Sequence, residues 1–378
     1  MKLQSLSIDI NGLDISGMVL HTTIFETIKG MVKGNFIVQD NINFYDTFID
    51  ESMVPITITS KYLEVTNTIN VYADGVTNMT IGKLGKQYTV HFIAYATANM
   101  KIGKINKVYS GTSSGIISKL FLEACGENHI LAVDSISDTK GKYIVPNITA
   151  HAAIKNVVNT AYDTENSGFC LYQRVADQGI TRLSTLDFMS KNYFYSSPKK
   201  KFTIKNTLVG ANPHDDGLST IDTIGTSSQF ILEEYQKNFI EKLAAGHWGK
   251  KITHIELDKT NIAKTPPTEL TDLGLTTFKL SENLYEDNVK SLFSTTPDAP
   301  SISALNQKSR VFNQSLRVSN VVAIPYIGVG FCVEVDQGGS NISKSKADTN
   351  YIVANINHKF KMDDGKFEYL QDIGLIRE

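Results

Sequence analysis

The two ends of this chain carry the same β plan. Residues 67–95 read as a strand, a glycine-bearing turn and a strand, NTINVYADG, TIGKLGK and QYTVHFIAY. Residues 349–374 repeat the plan with TNYIVANINHKF, KMDDGK and FEYLQDIG. Each copy follows a short alternating strand, VPITITS at 54–60 and GFCVEVD at 330–336. Period-2 alternation of this kind buries one face of a sheet. Two copies of one unit, separated by most of the chain, predict two similar β-barrels in one polypeptide. A protein that carries one module twice can build a ring with twice its own subunit number. The repeat is therefore an argument about assembly, not about catalysis.

A chain of 378 residues is too long for one ordinary core and fits two to four domains. It is 41% hydrophobic and 20% charged, the balance of a folded soluble protein. Its formal net charge of −2 argues against a chain-wide preference for nucleic acid or anionic membrane. The start, MKLQSLSIDINGLDI, alternates like a strand and lacks the cationic and apolar stretches of a signal peptide. No apolar run approaches the roughly 20 residues of a membrane span, so assembly in the cytoplasm is expected. Cys125, Cys170 and Cys332 are far apart and odd in number, so they read as buried small apolar residues rather than disulfide or metal partners.

The chain divides into four parts. Residues 1–110 read as a first β-barrel. Residues 111–195 read as an α/β helix–helix–hairpin domain. Residues 196–221 and 311–378 read as a second, split barrel, and 222–310 as an α/β insertion. In the second part Ser113 or Ser114 can cap a helix with Ile117, Leu120, Phe121 and Ala124 on one stripe, and Gly126 stops it. A second helix follows Pro146 with Ile154, Val157, Val158 and Ala161 at the same spacing. The insertion is predicted to hold helices over 227–245 and 281–293. Asp364-Gly365 is a hairpin signal.

Few residues offer chemistry. Gly111-Thr112-Ser113-Ser114-Gly115 matches G-x-S-x-G, the turn that presents a nucleophilic serine in hydrolases. The segment before it, KIGKINKVYS, is polar rather than a buried parallel strand, and the βα alternation of a hydrolase sheet is missing. Small hydroxyl residues before a helix are also what capping demands. His214, Asp215 and Asp216 read as a solvated loop rather than a cation site. His91 and His358 read as wall or interface residues in strands, and Glu233, Glu234, Asp363 and Asp364 as solvated charges. Trp248, beside a helix end, reads as packing of the insert or as a partner anchor. No catalytic, cofactor-binding or metal-binding residue is expected.

The order of these parts, and the closing YIVANINHKFKMDDGKFEYLQDIG, resembles the central baseplate hub protein of T-even-like contractile-tailed phages. The hub part of type VI secretion spike proteins is similar. The resemblance implies a mainly β fold with α+β insertions, built on two tail-tube-like barrels in tandem. It implies a homotrimeric ring of pseudo-sixfold symmetry that adapts a sixfold tail tube to a threefold spike and passes DNA without binding it specifically. The partners it implies are further copies of the chain, the tail tube protein, a separate spike protein, and the tape measure and inner baseplate proteins. The location it implies is the virion tail, assembled in the host cytoplasm. The chain stops at Glu378, just after its last strand, so lysozyme and spike domains are expected on other chains. Interface positions are expected at Tyr88, Phe92, Tyr351, Phe367, Tyr369 and Trp248. Segments 54–95 and 330–374 are expected to superimpose, with Tyr88 matching Glu368 or Tyr369. The channel wall is expected to be polar and not strongly basic, because a lysine-lined bore would hold DNA through many phosphates at once. Two other readings are a serine hydrolase using Ser113 and a receptor- or glycan-binding protein at the tail periphery, the latter calling for aromatic clusters on loops.

Overall fold

Alternation of apolar and polar residues turns most of the described chain into strand. A computed structural model describes residues 5–45, 53–62, 65–82, 85–137, 140–163, 167–192, 202–203, 229–231, 251–252, 268–269, 315–322, 327–336, 350–363 and 366–376. The first β unit contains β1 (Ser5–Ile10), β2 (Leu13–Asp14), β3 (Val19–Thr27), β4 (Gly30–Asp40), β5 (Pro55–Tyr62), β6 (Val65–Gly82) and β7 (Gly85–Ala94). Inward positions of β4 and β7 bury Val32, Phe36 and Val38 against Tyr88, Val90 and Phe92. Each such side chain contributes about 1.5–3 kcal/mol through burial. After β4 the chain turns tightly around Asp40. Its carboxylate accepts the N–H of Ile42 at 3.0 Å and of Tyr45 at 2.8 Å, and the Tyr88 hydroxyl at 3.3 Å. Burial raises that carboxyl, but the N–H groups of Phe44, Tyr45 and Ile42, with Tyr88, hold it below the usual carboxylate range.

The α/β unit contains α1 (Tyr95–Lys101), β8 (Ile105–Thr112), α2 (Ser113–Cys125), β9 (Leu131–Val133), β10 (Lys140–Ile148), α3 (Ala150–Thr160), β11 (Phe169–Gln173), β12 (Thr181–Thr185) and α4 (Leu186–Lys191). It takes in α1 and β8, which the sequence places with the first barrel. β8 pairs with β10, and Ala96, Met100 and Tyr109 share one core with α2 and α3. The expected stripe of α2 is buried at Ile117, Leu120 and Phe121 and only half-buried at Ala124, and Gly126 ends the helix with φ +73°. Ile154, Val157 and Val158 of α3 face them. All three cysteines are free and buried, and burial pushes the Cys125 thiol up to about 11.

The second β unit is assembled from β13 (Phe202–Thr203), β14 (Gln229–Ile231), β17 (Ser315–Val322), β18 (Cys332–Asp336), β19 (Asn350–Asp363) and β20 (Lys366–Ile376), while β15 (Lys251–Ile252) and β16 (Thr268–Glu269) pair with each other in a separate two-stranded sheet. Gln229–Ile231, expected as the start of a helix, is a strand paired antiparallel to β17. The remainder of that helix, the one over 281–293, and the loop at His214, Asp215 and Asp216 lie outside the described residues.

The two β units join. Among the described residues, thirteen strands form one sheet whose main path is β14-β17-β20-β19-β3-β4-β7-β6-β5-β1-β2. β3 and β19 pair antiparallel from Thr27↔Asn355 to His21↔Lys361. The mainly β class stands, but the described pairings close neither unit into a barrel. The edge of β3 that would close the first unit on itself is occupied by β19 instead. The repeat read from the sequence is real at the level of pairing. Strands β5-β6-β7 and β18-β19-β20 are both antiparallel meanders. Their hairpin tips are the pairs Gly82↔Gly85 and Asp363↔Lys366. Counting from these tips, Tyr88 matches Tyr369, and both are buried.

Candidate functional site

The seam between the β units is where buried polar groups converge. Thr22, Ile24 and Glu26 of β3 and Ile356, His358 and Phe360 of β19 share the inward parity, so one carboxylate and one imidazole enter an apolar core together. Glu26 is 0% and His358 2% exposed. His358 Nε2 lies 2.9 Å from Glu26 Oε1, and its Nδ1 lies 2.7 Å from the Tyr369 hydroxyl. Gln371 Nε2 reaches both His358 Nδ1 and the Tyr369 hydroxyl at 3.3 Å. An unpaired polar group at this depth would cost several kcal/mol, so each member needs the others.

The same carboxylate fastens the α/β unit. The N–H of Val175 donates to Glu26 Oε1 at 2.8 Å, and that of Val329 donates to Oε2 at 3.4 Å. Arg174, 2% exposed, donates from Nε to the Val329 carbonyl at 2.6 Å and from Nη2 to the Tyr172 hydroxyl at 3.2 Å. Its guanidinium lies 4.0 Å from the Phe331 ring centroid, a cation–π contact in a dry site. Glycines make room for it. A Cβ on Gly328 would stand 2.8 Å from Arg174 Cδ, and one on Gly330, at φ +79°, would stand 2.6 Å from the Tyr172 hydroxyl. Burial also pushes the Tyr172 hydroxyl above its ordinary range. Glu26 thus holds β3, β19, the turn after β11 and the 327–330 segment at one point. A Glu–His–Tyr row has the composition of a proton relay, but here it is sealed inside the sheet. Its arrangement is that of a lock.

The positions singled out in the sequence scatter around this lock. Tyr88, Phe92, Tyr351 and Tyr369, expected at an interface with other chains, are buried in the chain's own cores. Inward parity in β7, β19 and β20 put them there. The side chain of Phe367 and the whole of Trp248 lie outside the described residues. His358, expected as a wall residue, is instead the centre of the lock. His91 does face outward, with Nε2 2.7 Å from Thr77 Oγ1. Glu26 and Arg174 escaped the sequence reading, although a carboxylate on the apolar parity of LHTTIFET was a visible signal.

Ser113 is no nucleophile elbow in this setting. β8, which precedes it, pairs antiparallel in a two-stranded sheet, not inside a parallel one. The helix cap is Thr112, not Ser113 or Ser114, and Thr112 Oγ1 accepts the N–H of Gly115 at 3.1 Å. Ser114 exchanges hydrogen bonds with Ser137, its N–H donating to Ser137 Oγ at 2.8 Å. Thr112→Ala is therefore expected to lower stability by about 1 kcal/mol in urea unfolding. Ser113→Ala, which removes a buried hydroxyl that does not cap the helix, is expected to cost less than Thr112→Ala. Among the described residues no three His, Cys, Asp or Glu side chains are placed to hold a metal. No described helix is long and apolar enough to cross a membrane.

No family model matches the sequence, and no curated protein does. Solved structures do. The 43 kDa tail protein of prophage MuSo2 from Shewanella oneidensis aligns over 98% of this chain and 98% of its own, at 12% identity and TM-score 0.59. A tail protein from Neisseria meningitidis aligns over 99% and 96%, at 11% identity and TM-score 0.60. This is the fold of phage tail proteins. The tail-protein fold extends to the lidless PdpA-VgrG complex, where 99% of this chain covers 65% of that one at 11% identity and TM-score 0.52.

Proposed function

We propose that this chain is a structural subunit of a phage-type tail, a homotrimeric hub that adapts a sixfold tail tube to a threefold spike. The observation that carries this reading is the doubled β unit, merged edge to edge through β3 and β19. Three such chains supply six equivalent sheet segments, which fits a sixfold neighbour on one side and a threefold one on the other. The tail-protein fold over nearly the full length supports the same reading. In this role the chain assembles in the host cytoplasm, meets tube, spike, tape measure and inner baseplate proteins, and lets DNA through.

The outward face of the joined sheet suits a conduit. His21, Thr23, Asn35, Thr89, His91 and Asn357 are half-buried along it. Burial, then Lys359 and Lys361, depress His21, so that ring is neutral at physiological pH. Lys359 is paired with Asp372 at 2.5 Å. Exposed Lys33 and Lys361 share this face, so the wall is mostly polar with scattered cations rather than a continuous basic track for DNA. The lock residues have a structural role, and no step of covalent chemistry is assigned to the chain.

Light scattering on the purified protein is expected to give the mass of three chains, and negative-stain images a ring with six lobes. Monomer alone at high concentration, with and without the spike protein, overturns the proposal and favours a peripheral binding protein.

A further inference from the structure

The two β units correspond strand by strand. Outward from each hairpin, β6-β7-β4-β3 matches β19-β20-β17-β14. The registers carry the correspondence to single residues. Val76↔Val90 matches His358↔Gln371, because Val90 and Gln371 stand at the same distance past Gly85 and Lys366. Gly34↔Phe92 matches Val318↔Ile373 by the same count. Ile24 pairs with Gly34, and Phe230 pairs with Val318, so Phe230 stands where Ile24 stands.

The correspondence breaks at one place. The edge of β19 beyond its β18 partner is covered by β3 over residues 355–361. The matching edge of β6, residues 74–80, has no strand beside it among the described residues, since β5 reaches only Tyr72. Burial follows pairing. Residues 356, 358 and 360 of β19 are buried, whereas of residues 74–82 only Val76 is even half-buried, and Met79 and Ile81 are 47% and 77% exposed. A long open edge with apolar side chains is a template for another strand. At the far end of the path, β14 plays the part of β3 and has no β19 equivalent beside it among the described residues.

We propose that the open edge of β6 is completed by the Gln229–Ile231 strand of a second copy, antiparallel, with Gln229 opposite Thr77, Phe230 opposite Val76 and Ile231 opposite Gly75. The register is copied from the seam inside the chain, where Thr23, Ile24 and Phe25 oppose Lys359, His358 and Asn357. This rests on the assembly reading above and specifies its contact. The contact is heterologous, head to tail, and closes if three copies complete the rotation. It also makes two kinds of seam alternate around the ring. The seam within a chain holds the Glu26–His358 pair, and the seam between chains has Val76 at the matching place. The seam between chains is therefore the one that opens first.

Cysteines placed at Thr77 and Gln229 of the full chain test the register. Directly opposed residues stand about 4.5–5.5 Å apart, within disulfide reach. Mild oxidation is expected to give covalent dimers and trimers on a non-reducing gel, about tenfold more than Thr77→Cys with Ile231→Cys, a diagonal pair roughly 7–8 Å apart. In the unsubstituted protein, amide exchange over 74–80 is expected to slow by about tenfold or more on assembly. Trimers that form without this cross-link and without that protection overturn the contact and leave the assembly reading standing. A protein that is monomeric at every concentration overturns both.

Discussion

Glu26→Ala lowers the stability of the chain by about 3–5 kcal/mol, because several buried donors lose their acceptor together and each such group costs about 1–3 kcal/mol. The N–H groups of Val175 and Val329 and the Nε2 of His358 all lose their acceptor at once, in a site with 0–2% exposure at Glu26 and His358. The loss is larger than the lock's hydrogen bonds are worth net, because buried groups left without partners keep their full desolvation cost. Glu26→Gln retains an oxygen acceptor and a similar volume, and is expected to fall between wild type and alanine. Urea unfolding of the three proteins measures the order. A double-mutant cycle with His358→Ala separates the pair from its neighbours, and a coupling near zero would mean that the two side chains hold the seam independently. Loss of the seam is also expected to reach the α/β unit, since the same carboxylate anchors Val175.

Gly34→Ala is expected to cost about 3 kcal/mol, at the upper end for overpacking. Gly34 lies in the middle of β4, opposite Ile24 of β3 and Phe92 of β7. A Cβ there would press on the carbonyl oxygen of Thr23 and stand 2.6 Å from Phe92 Cζ. The ring can tilt, but the carbonyl belongs to the sheet ladder and can move only with β3. The strain therefore falls on the strand that carries the seam. Gly30→Ala, with 4.0 Å to its nearest side-chain atom, Thr27 Cγ2, is the matched control and is expected to cost under about 1 kcal/mol. Equal melting temperatures for the two variants would contradict the close approach of β3 and β4.

Much of the architecture was legible in the residues because local patterns are repeated and unambiguous. Alternation over 54–95 and 330–374 marked both meanders and brought Tyr88 to Glu368 or Tyr369, and the registers select Tyr369. The helical stripes at Ile117, Leu120 and Phe121 and at Ile154, Val157 and Val158 were equally plain. Boundaries were less so. No proline or glycine cluster separates Tyr95–Lys101 from β7, so the sequence groups it with the first β unit. The cap of α2 moved to Thr112 because three consecutive hydroxyl residues satisfy the capping rule equally.

The sequence alone determined that this chain is β-rich, that it carries one unit twice, and that Phe92, Phe367 and Tyr369 belong to strands. Those properties follow from period-2 patterning, which is a statement about one strand and its two faces. Which strands meet was decided only in three dimensions. The pairing of β3 with β19 joins residues more than three hundred positions apart, and backbone hydrogen bonding makes any exposed edge compatible with any other. The choice is settled by side chains that have no meaning alone. Glu26 in a core strand reads as an error of patterning until His358, Val175 and Val329 surround it. Likewise parity gives Tyr88 and Tyr369 one of two faces, and only the folded sheet makes theirs the dry one.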